Sequence, residues 1–375
     1  MRNTYCVRAV FTSTRYPVSL LPPLVSRLSP LASLPAMNIQ QAIAHIIKGQ
    51  DLTEEEAYEI MSEVMSGKAT SAQIGGYLVG LAAKGETPAE ITGSARAMRE
   101  HAVPVHHSHS WHLVDTCGTG GDHSGTFNIS TTAAFVVAGC GIPVAKHGNR
   151  SVTSKAGSAD VLKALGVNLE LTPEQVGRCI DEVGIGFLYA INHHPAMKHA
   201  AGVRRELGVR TIFNVLGPLT NPASATHQII GVFNPALTAP LAEVLGRLGS
   251  RAALIFHGAD GLDELSTTGV NRVSRLAHGQ VSSFELDPLD LGLRRAHLAD
   301  LIGGTPEENA VTLRAILSGQ ERGPKRDVVV LNAAAALAVE DMDWGAALEQ
   351  AEHGIDSGAG LAKLDALIER SQHWE

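Results

Sequence analysis

Three turns carry the residue types that could do chemistry. The first is VDTCGTGGDHSGTFNIS, residues 114–130, with Gly118, Gly120 and Gly121 inside four residues. Thr119, Asp122, Thr126, Asn128 and Ser130 complete it, Thr131 follows directly, and after the glycines no large apolar side chain comes before Phe127. Bare backbone of this kind lets N–H groups converge on an anion, and a following helix N-terminus adds partial positive charge. The spacing is not the dinucleotide fingerprint, which runs GxGxxG straight into a helix, and no GK[ST] follows as in a Walker loop. Alone, the segment reads equally as a structural turn and as a phosphate cradle.

The second turn, KHGNRSVTSKAGSAD, residues 146–160, carries Lys146, His147, Asn149, Arg150, Ser151, Thr153, Ser154, Lys155 and Ser158, with Gly148 and Gly157 between them. So many donors on one loop are costly unless an anion accepts them. The third, DGLDELSTTG, residues 260–269, sets Asp263 beside Glu264. Adjacent carboxylates on a loop suit Mg²⁺, which takes one or two carboxylates plus substrate phosphates and water. Such pairs are common on protein surfaces, but this one follows two anion-type loops. The combined chemistry is a di- or triphosphate-like substrate held by donors and Mg²⁺.

The elements that must position these turns follow from the pattern of apolar residues. From Met37 the period is helical, with Ile39, Ile43, Ile46 and Ile47 on one face. Thr53 with Glu56 makes a capping box, a third helix is expected from about Ser71 to Gly85, and a fourth opens at Thr87-Pro88 with Glu90 closing its box. No strand signal precedes Trp111. The sequence then alternates. WHLVD, IPVAK, NLEL, FLYA, HQIIGVF and RAALIF read as strands, separated by helices from about Asn128, Ser158, Pro173 and Pro195 and by one ending at Leu248. Residues 270–287 read as a hairpin turning at His278-Gly279, and helices return from about Asn309. The expected class is α/β: a small all-helical N-terminal domain, residues 37–108, and a larger α/β domain, residues 109–375, with a mostly parallel central sheet covered on both faces. All three turns then lie beyond the carboxyl ends of strands, where open α/β sheets bind ligands.

The chain has 375 residues, 44% hydrophobic and 18% charged, with a formal net charge of −8. An acidic chain is a poor general nucleic-acid binder. No apolar run reaches the roughly 18 residues of a membrane span. Cys6, Cys117, Cys140 and Cys179 form no CxxC pair and no disulfide framework, which points to a reducing compartment and a cytoplasmic location. Residues 1–36 hold four arginines, five prolines and no acid. They read as a disordered extension, either from a start assigned upstream of Met37 or as a transit segment. His101, His106, His107, His109 and His112 invite a zinc reading, but their irregular spacing, with no cysteine or acid among them, favours a polar linker.

Five motifs together resemble the anthranilate phosphoribosyltransferases: DTCGTGGD (115–122), FNIST (127–131), KHGNRSVTSKAGSAD (146–160), VRRELGVRTIFNVLGPLTNP (203–222) and GLDELS (261–266). The resemblance covers roughly residues 37–370. It implies phosphoribosyl transfer from phosphoribosyl pyrophosphate to anthranilate, two Mg²⁺ per subunit and a homodimer joined through a helical domain that takes in part of residues 193–225. It implies that Gly118, Thr119, Gly120, Gly121, Asp122, Thr126, Asn128, Ser130 and Thr131 line the ribose and pyrophosphate, with Lys146, Gly148, Asn149 and Ser158. Ser130 would help hold one metal. Asp263 and Glu264 would hold the second, with Glu264 reaching both. Arg204 would face the anthranilate carboxylate, and His147 and the His193-His194-Pro195 segment would border the acceptor's channel. Lys146 and Arg204 are the residues expected to act in catalysis. Two other classes share parts of this pattern. A nucleoside phosphorylase needs no such acidic metal site, and a nucleic-acid-binding relative would need a basic face.

Overall fold

A computed structural model describes residues 37–109, 112–151 and 155–374. The readings for residues 1–36, and for Trp111, Thr153 and Ser154, lie outside the described residues. Four helices come first: α1 (Ile39–Ile46), α2 (Glu54–Met65), α3 (Ser71–Lys84) and α4 (Pro88–Glu100). Each opens on a capping box, at Asn38, Thr53, Thr70 and Thr87. At α4 the box acid is also a hub. Fully buried Glu90 accepts from the backbone N–H of Thr87 at 2.8 Å and of Leu52 at 2.9 Å, and pairs with Lys84 at 3.0 Å. Ile39 and Ile46 face the core, but Ile47 is 71% exposed. It caps α1 one residue past the last turn and so leaves the apolar stripe.

The α/β part continues with β1 (Val114–Gly118), α5 (Ile129–Gly139), β2 (Val144–Gly148), α6 (Ser158–Ala164), α7 (Pro173–Val183), β3 (Ile185–Tyr189), α8 (Ala190–His193), α9 (Lys198–Leu207) and α10 (Phe213–Leu216). Then come β4 (His227–Gly231), α11 (Thr238–Arg247), β5 (Ala252–His257), β6 (Asn271–Ala277) and β7 (Gln280–Leu286). Four helices close the chain: α12 (Pro306–Leu317), α13 (Pro324–Leu337), α14 (Trp344–Asp356) and α15 (Ala359–Gln372). One sheet holds the strands in the order β3-β2-β1-β4-β5-β6-β7. β1 to β5 are parallel, and β6 and β7 add the antiparallel hairpin.

Two expected strands need correction. WHLVD is displaced: β1 starts at Val114 and runs through the first glycine, so Asp115, Thr116 and Cys117 pair with Gln228, Ile229 and Ile230. NLEL, residues 168–171, is not a strand. Leu169 and Leu171 are buried between more exposed neighbours, but the backbone bonds to side chains instead of a ladder. Asn168 N–H donates to Ser371 Oγ, Glu170 N–H to Asn168 Oδ1, and Asn192 Nδ2 to Leu169 O. Alternation reports which side chains are buried, not whether a partner strand is present.

Alternate residues of each strand face two apolar layers. Ile229, Leu254 and Phe256 pack on one face against α5 and α13, while Ile230, Ala253 and Ile255 face the other. That second layer merges α1–α4 with α11 and with Val203, Phe213 and Leu216 from α9 and α10. The chain order reverses between β1 and β4, so the crevice of this sheet opens above the ends of those two strands.

Candidate active site

β1 ends at Gly118 and β4 at Gly231, side by side in the sheet. Asp263 lies directly over both. A Cβ at Gly118 would strike the Asp263 carboxylate, and one at Gly231 would overlap the Asp263 carbonyl. Glycine at these two positions is therefore what lets the acidic turn descend onto the switch point. The turn is pinned from behind by buried Asn332 of α13, which accepts from Leu265 N–H at 3.0 Å and donates to Leu265 O at 2.8 Å. Gly231→Ala is expected to cost about 3 kcal/mol as a small-to-large change against fixed backbone. Urea unfolding checks the cost. Activity should fall with it, because relief of the overlap displaces Asp263.

The three turns meet in one polar cavity of ≈ 250 Å³. Gly118, Asp122, Thr126, Asn128, Ser130, Thr131, Lys146, His147, Gly148, Asn149, Ser158, Asp263 and Glu264 line it. Gly120 joins through its backbone: its N–H donates to Asp263 Oδ2 at 2.6 Å. Ser130 N–H, in the first turn of α5, donates to Glu264 Oε1 at 3.1 Å. Asp263 N–H reaches Asp122 Oδ2 at 3.4 Å, and Ser124 Oγ donates to the same Asp122 oxygen at 2.6 Å.

Charge is crowded here. Burial, then the nearby Asp122 and Glu264 carboxylates, hold the Asp263 carboxyl well above its ordinary range. Burial also lifts Glu264 to about 7, against the opposing pull of Lys146 and the Ser130 N–H. Lys146 is itself buried, and its Nζ donates to Thr116 O. Burial lowers its pKa, while Asp115 and Glu264 oppose that. Under the loop, fully buried Asp115 accepts from His147 N–H at 3.1 Å and Asn221 Nδ2 at 2.8 Å, with burial raising its pKa to about 6.

A second cavity of ≈ 630 Å³ shares Cys117, Gly118, His147, Gly148, Asn149 and Arg150 with the first. Thr119 and Gly121 lie on this side, as do Ile191, His194, Pro195, Met197 and Arg204. The Arg204 guanidinium sits 5.1 Å over the Phe213 ring. His147 and His194 are 5.1 Å apart, ring to ring. Burial and the His194 ring push His147 well below its ordinary pKa, and burial takes His194 to about 4, so both are neutral imidazoles. His193 departs from expectation. It does not line the cavity: it is buried, with its Nδ1 facing Val103 O at 3.4 Å.

Sequence reasoning missed Asp115, Asn221, Asn332 and Arg210. Arg210 stacks 4.1 Å over Phe233 and donates to Gly121 O, holding the glycine loop from outside. The first three are buried polar residues inside apolar surroundings, which is the signal that marks them. Cys117 is buried in β1, and burial keeps its thiol protonated. Among the described residues, three cysteines are free, and no helix is long and apolar enough to cross a membrane.

The helical part matches the glycosyl transferase family, helical bundle domain, over residues 40–102, and the remainder matches the glycosyl transferase family, a/b domain, over residues 110–361. Fold and site thus define a glycosyl transferase. A curated anthranilate phosphoribosyltransferase from Moorella thermoacetica is 54% identical over 340 residues, covering 90% of this chain and 99% of its own. The chain belongs to the anthranilate phosphoribosyltransferase family. The crystal structure of the Thermus thermophilus enzyme aligns with a TM-score of 0.84 at 47% identity, over 88% of this chain and 99% of that one. The Saccharomyces cerevisiae enzyme in complex with PRPP and Mg aligns with a TM-score of 0.81 at 27% identity, over 89% and 98%.

Proposed function

We propose that the protein transfers the 5-phosphoribosyl group from phosphoribosyl pyrophosphate to the amine of anthranilate, giving N-(5-phosphoribosyl)anthranilate and pyrophosphate in tryptophan biosynthesis. The observation that carries this reading is the junction of two cavities at the β1–β4 switch point. One is polar and acid-lined, the other is walled by Ile191, Pro195, Met197 and Phe213 with Arg204 among them.

In this reading the glycine loop (Gly118, Thr119, Gly120, Gly121, Asp122), Thr126, Asn128, Ser130 and Thr131 hold the ribose and pyrophosphate from one side. Lys146, Gly148, Asn149 and Ser158 hold them from the other. The acid-lined cavity also fits a divalent cation. Asp122, Asp263 and Glu264 crowd together beside the buried cation Lys146, and burial alone would drive Asp263 and Glu264 neutral. Asp263 and Glu264 would hold one Mg²⁺, and Ser130 with Glu264 a second, giving two per subunit. Bound there, Mg²⁺ supplies positive charge to the departing pyrophosphate.

The remaining work falls to side chains. The C1–O bond breaks with oxocarbenium-like charge on the ribose, and negative charge grows on the leaving group. Lys146 meets that charge from a position fixed in advance, so little reorganisation is required. The aniline nitrogen is neutral and attacks C1 through its free lone pair as the C1–O bond breaks, and the proton it then sheds passes to the released pyrophosphate or to water. That suits a channel bordered by neutral His147 and His194, which offers no strong base. Arg204 orients the acceptor by its carboxylate.

Consumption of anthranilate fluorescence, with release of pyrophosphate, tests the assignment. Turnover should require phosphoribosyl pyrophosphate and stop when EDTA is added. Release of base from thymidine and phosphate instead would make the chain a phosphorylase. Arg204→Ala should raise the KM for anthranilate about 10- to 100-fold, the worth of one charge-assisted bond. Its KM for phosphoribosyl pyrophosphate should hardly move. An unchanged anthranilate KM removes this role.

The reading also takes residues 37–108 with part of 193–225 as one helical domain, whose exposed Ile47 and Val79 are offered to a second copy in a homodimer. It places the enzyme in the cytoplasm, on the strength of its scattered free thiols.

A further inference from the structure

At the amino-terminal edge of the sheet, the opposite edge from the cavities, three chain-distant residues converge. His112 precedes β1, His227 is the first residue of β4, and Glu340 follows α13. One ring nitrogen from each histidine and a carboxylate oxygen of Glu340 lie within 4.8 Å of one another. His227 is fully buried, its Nε2 faces Glu340 Oε1 at 2.8 Å, and its Nδ1 faces Thr226 Oγ1 at 2.9 Å. The His112 and His227 rings stack at 4.3 Å.

We propose that His112, His227 and Glu340 form a site for a borderline transition-metal dication of the Zn²⁺ class. Two imidazoles and one carboxylate, with a further position open, are a ligand set that zinc accepts. The Thr226 hydroxyl engages Nδ1 of His227 and so orients the ring with Nε2 toward the shared point, the usual outer support of a ligating histidine. Tetrahedral zinc at ordinary bond lengths needs ligand atoms about 3.4 Å apart. Glu340, whose side chain is 45% exposed, can swing outward to widen its 2.8 Å approach to His227 to that separation. Access is already present, because Glu340 lines an open cavity of ≈ 450 Å³ with Ser250, Arg251 and His278. Two cations border the cluster. Arg251 acts electrostatically on all three groups, and Arg275 donates to the Glu340 carbonyl. Their positive charge sets an upper limit on affinity. The site is distinct from the reaction centre: His227 and Gly231 are the two ends of β4, about 13 Å apart at strand rise.

The test is equilibrium dialysis of the metal-stripped full chain against buffered Zn²⁺, with millimolar Mg²⁺ present throughout to saturate the acid-lined cavity. One zinc per chain is expected, with a rise in melting temperature. Glu340→Gln and His112→Gln should each weaken zinc binding about tenfold or more, and the zinc-dependent rise should shrink with it. Transferase turnover without zinc should be unchanged in Glu340→Gln. Since Glu340 is half-exposed, this variant keeps the test independent of folding. Failure of the parent chain to bind zinc, or identical zinc binding in parent and both variants, overturns the proposal and leaves a plain histidine–carboxylate contact.

Discussion

Asp263→Asn combined with Glu264→Gln is expected to lower kcat by about three orders of magnitude, or about 4 kcal/mol, and to abolish the response of activity to Mg²⁺. The expected cause is loss of charge, not loss of fold. The amide oxygens that replace the two carboxylates can still accept from Gly120 N–H and Ser130 N–H, the two bonds that place the acids now. Stability should move in the opposite direction to activity. Both carboxyl groups have folded-state pKa values above their ordinary range. Their contribution is therefore fully present at acid pH and is lost as pH rises through about 7, where Glu264 ionises. The neutral amides remove that loss. In EDTA at pH 8 the double variant should melt at or above the parent temperature, and the difference should shrink as pH falls toward the ordinary carboxyl range at about 4. A double variant that retains normal Mg²⁺-dependent turnover contradicts the metal assignment, and one that is unfolded contradicts the stability expectation.

Lys146→Met should reduce kcat/KM for phosphoribosyl pyrophosphate about 100- to 1,000-fold, the usual cost of removing one pre-positioned donor from a developing negative charge. Here a loss of stability accompanies the loss of activity. Lys146 is the buried cation beside Asp115 and Glu264, and removing one partner of a buried pair costs about 3–5 kcal/mol. The pH dependence separates the two effects. Asp115 already titrates near 6, and without Lys146 its pKa must rise further. The variant then avoids a buried unpaired charge below that pH and meets it above. Urea denaturation should show a large deficit at pH 8 and a small one at pH 5.5. The kinetic defect, measured where both proteins are folded, should persist. A variant with ordinary kcat/KM once folded would make Lys146 a structural counter-charge only.

The helices show why so much could be read from sequence. Thr53 with Glu56, Thr87 with Glu90 and Thr172 with Gln175 satisfy backbone groups three residues away, so each box is complete within its own segment. The hairpin at His278-Gly279 is local in the same sense. The glycine loop, the donor-rich loop and the Asp263-Glu264 pair were legible because converging amides and paired carboxylates are costly without a ligand to justify them.

The succession of elements, their local caps and the chemistry each turn can offer are all local properties of the chain. Which turns meet is a property of the folded sheet. Tertiary packing placed Gly118 and Gly231 beneath Asp263, gave Asp115 its partner in Asn221, turned His193 away from the cavity and left residues 168–171 without a strand to pair with. The division has a physical cause. Hydrogen bonds three or four residues apart are enforced by local geometry, whereas contacts across more than a hundred residues exist only once strand order and helix packing bring them together.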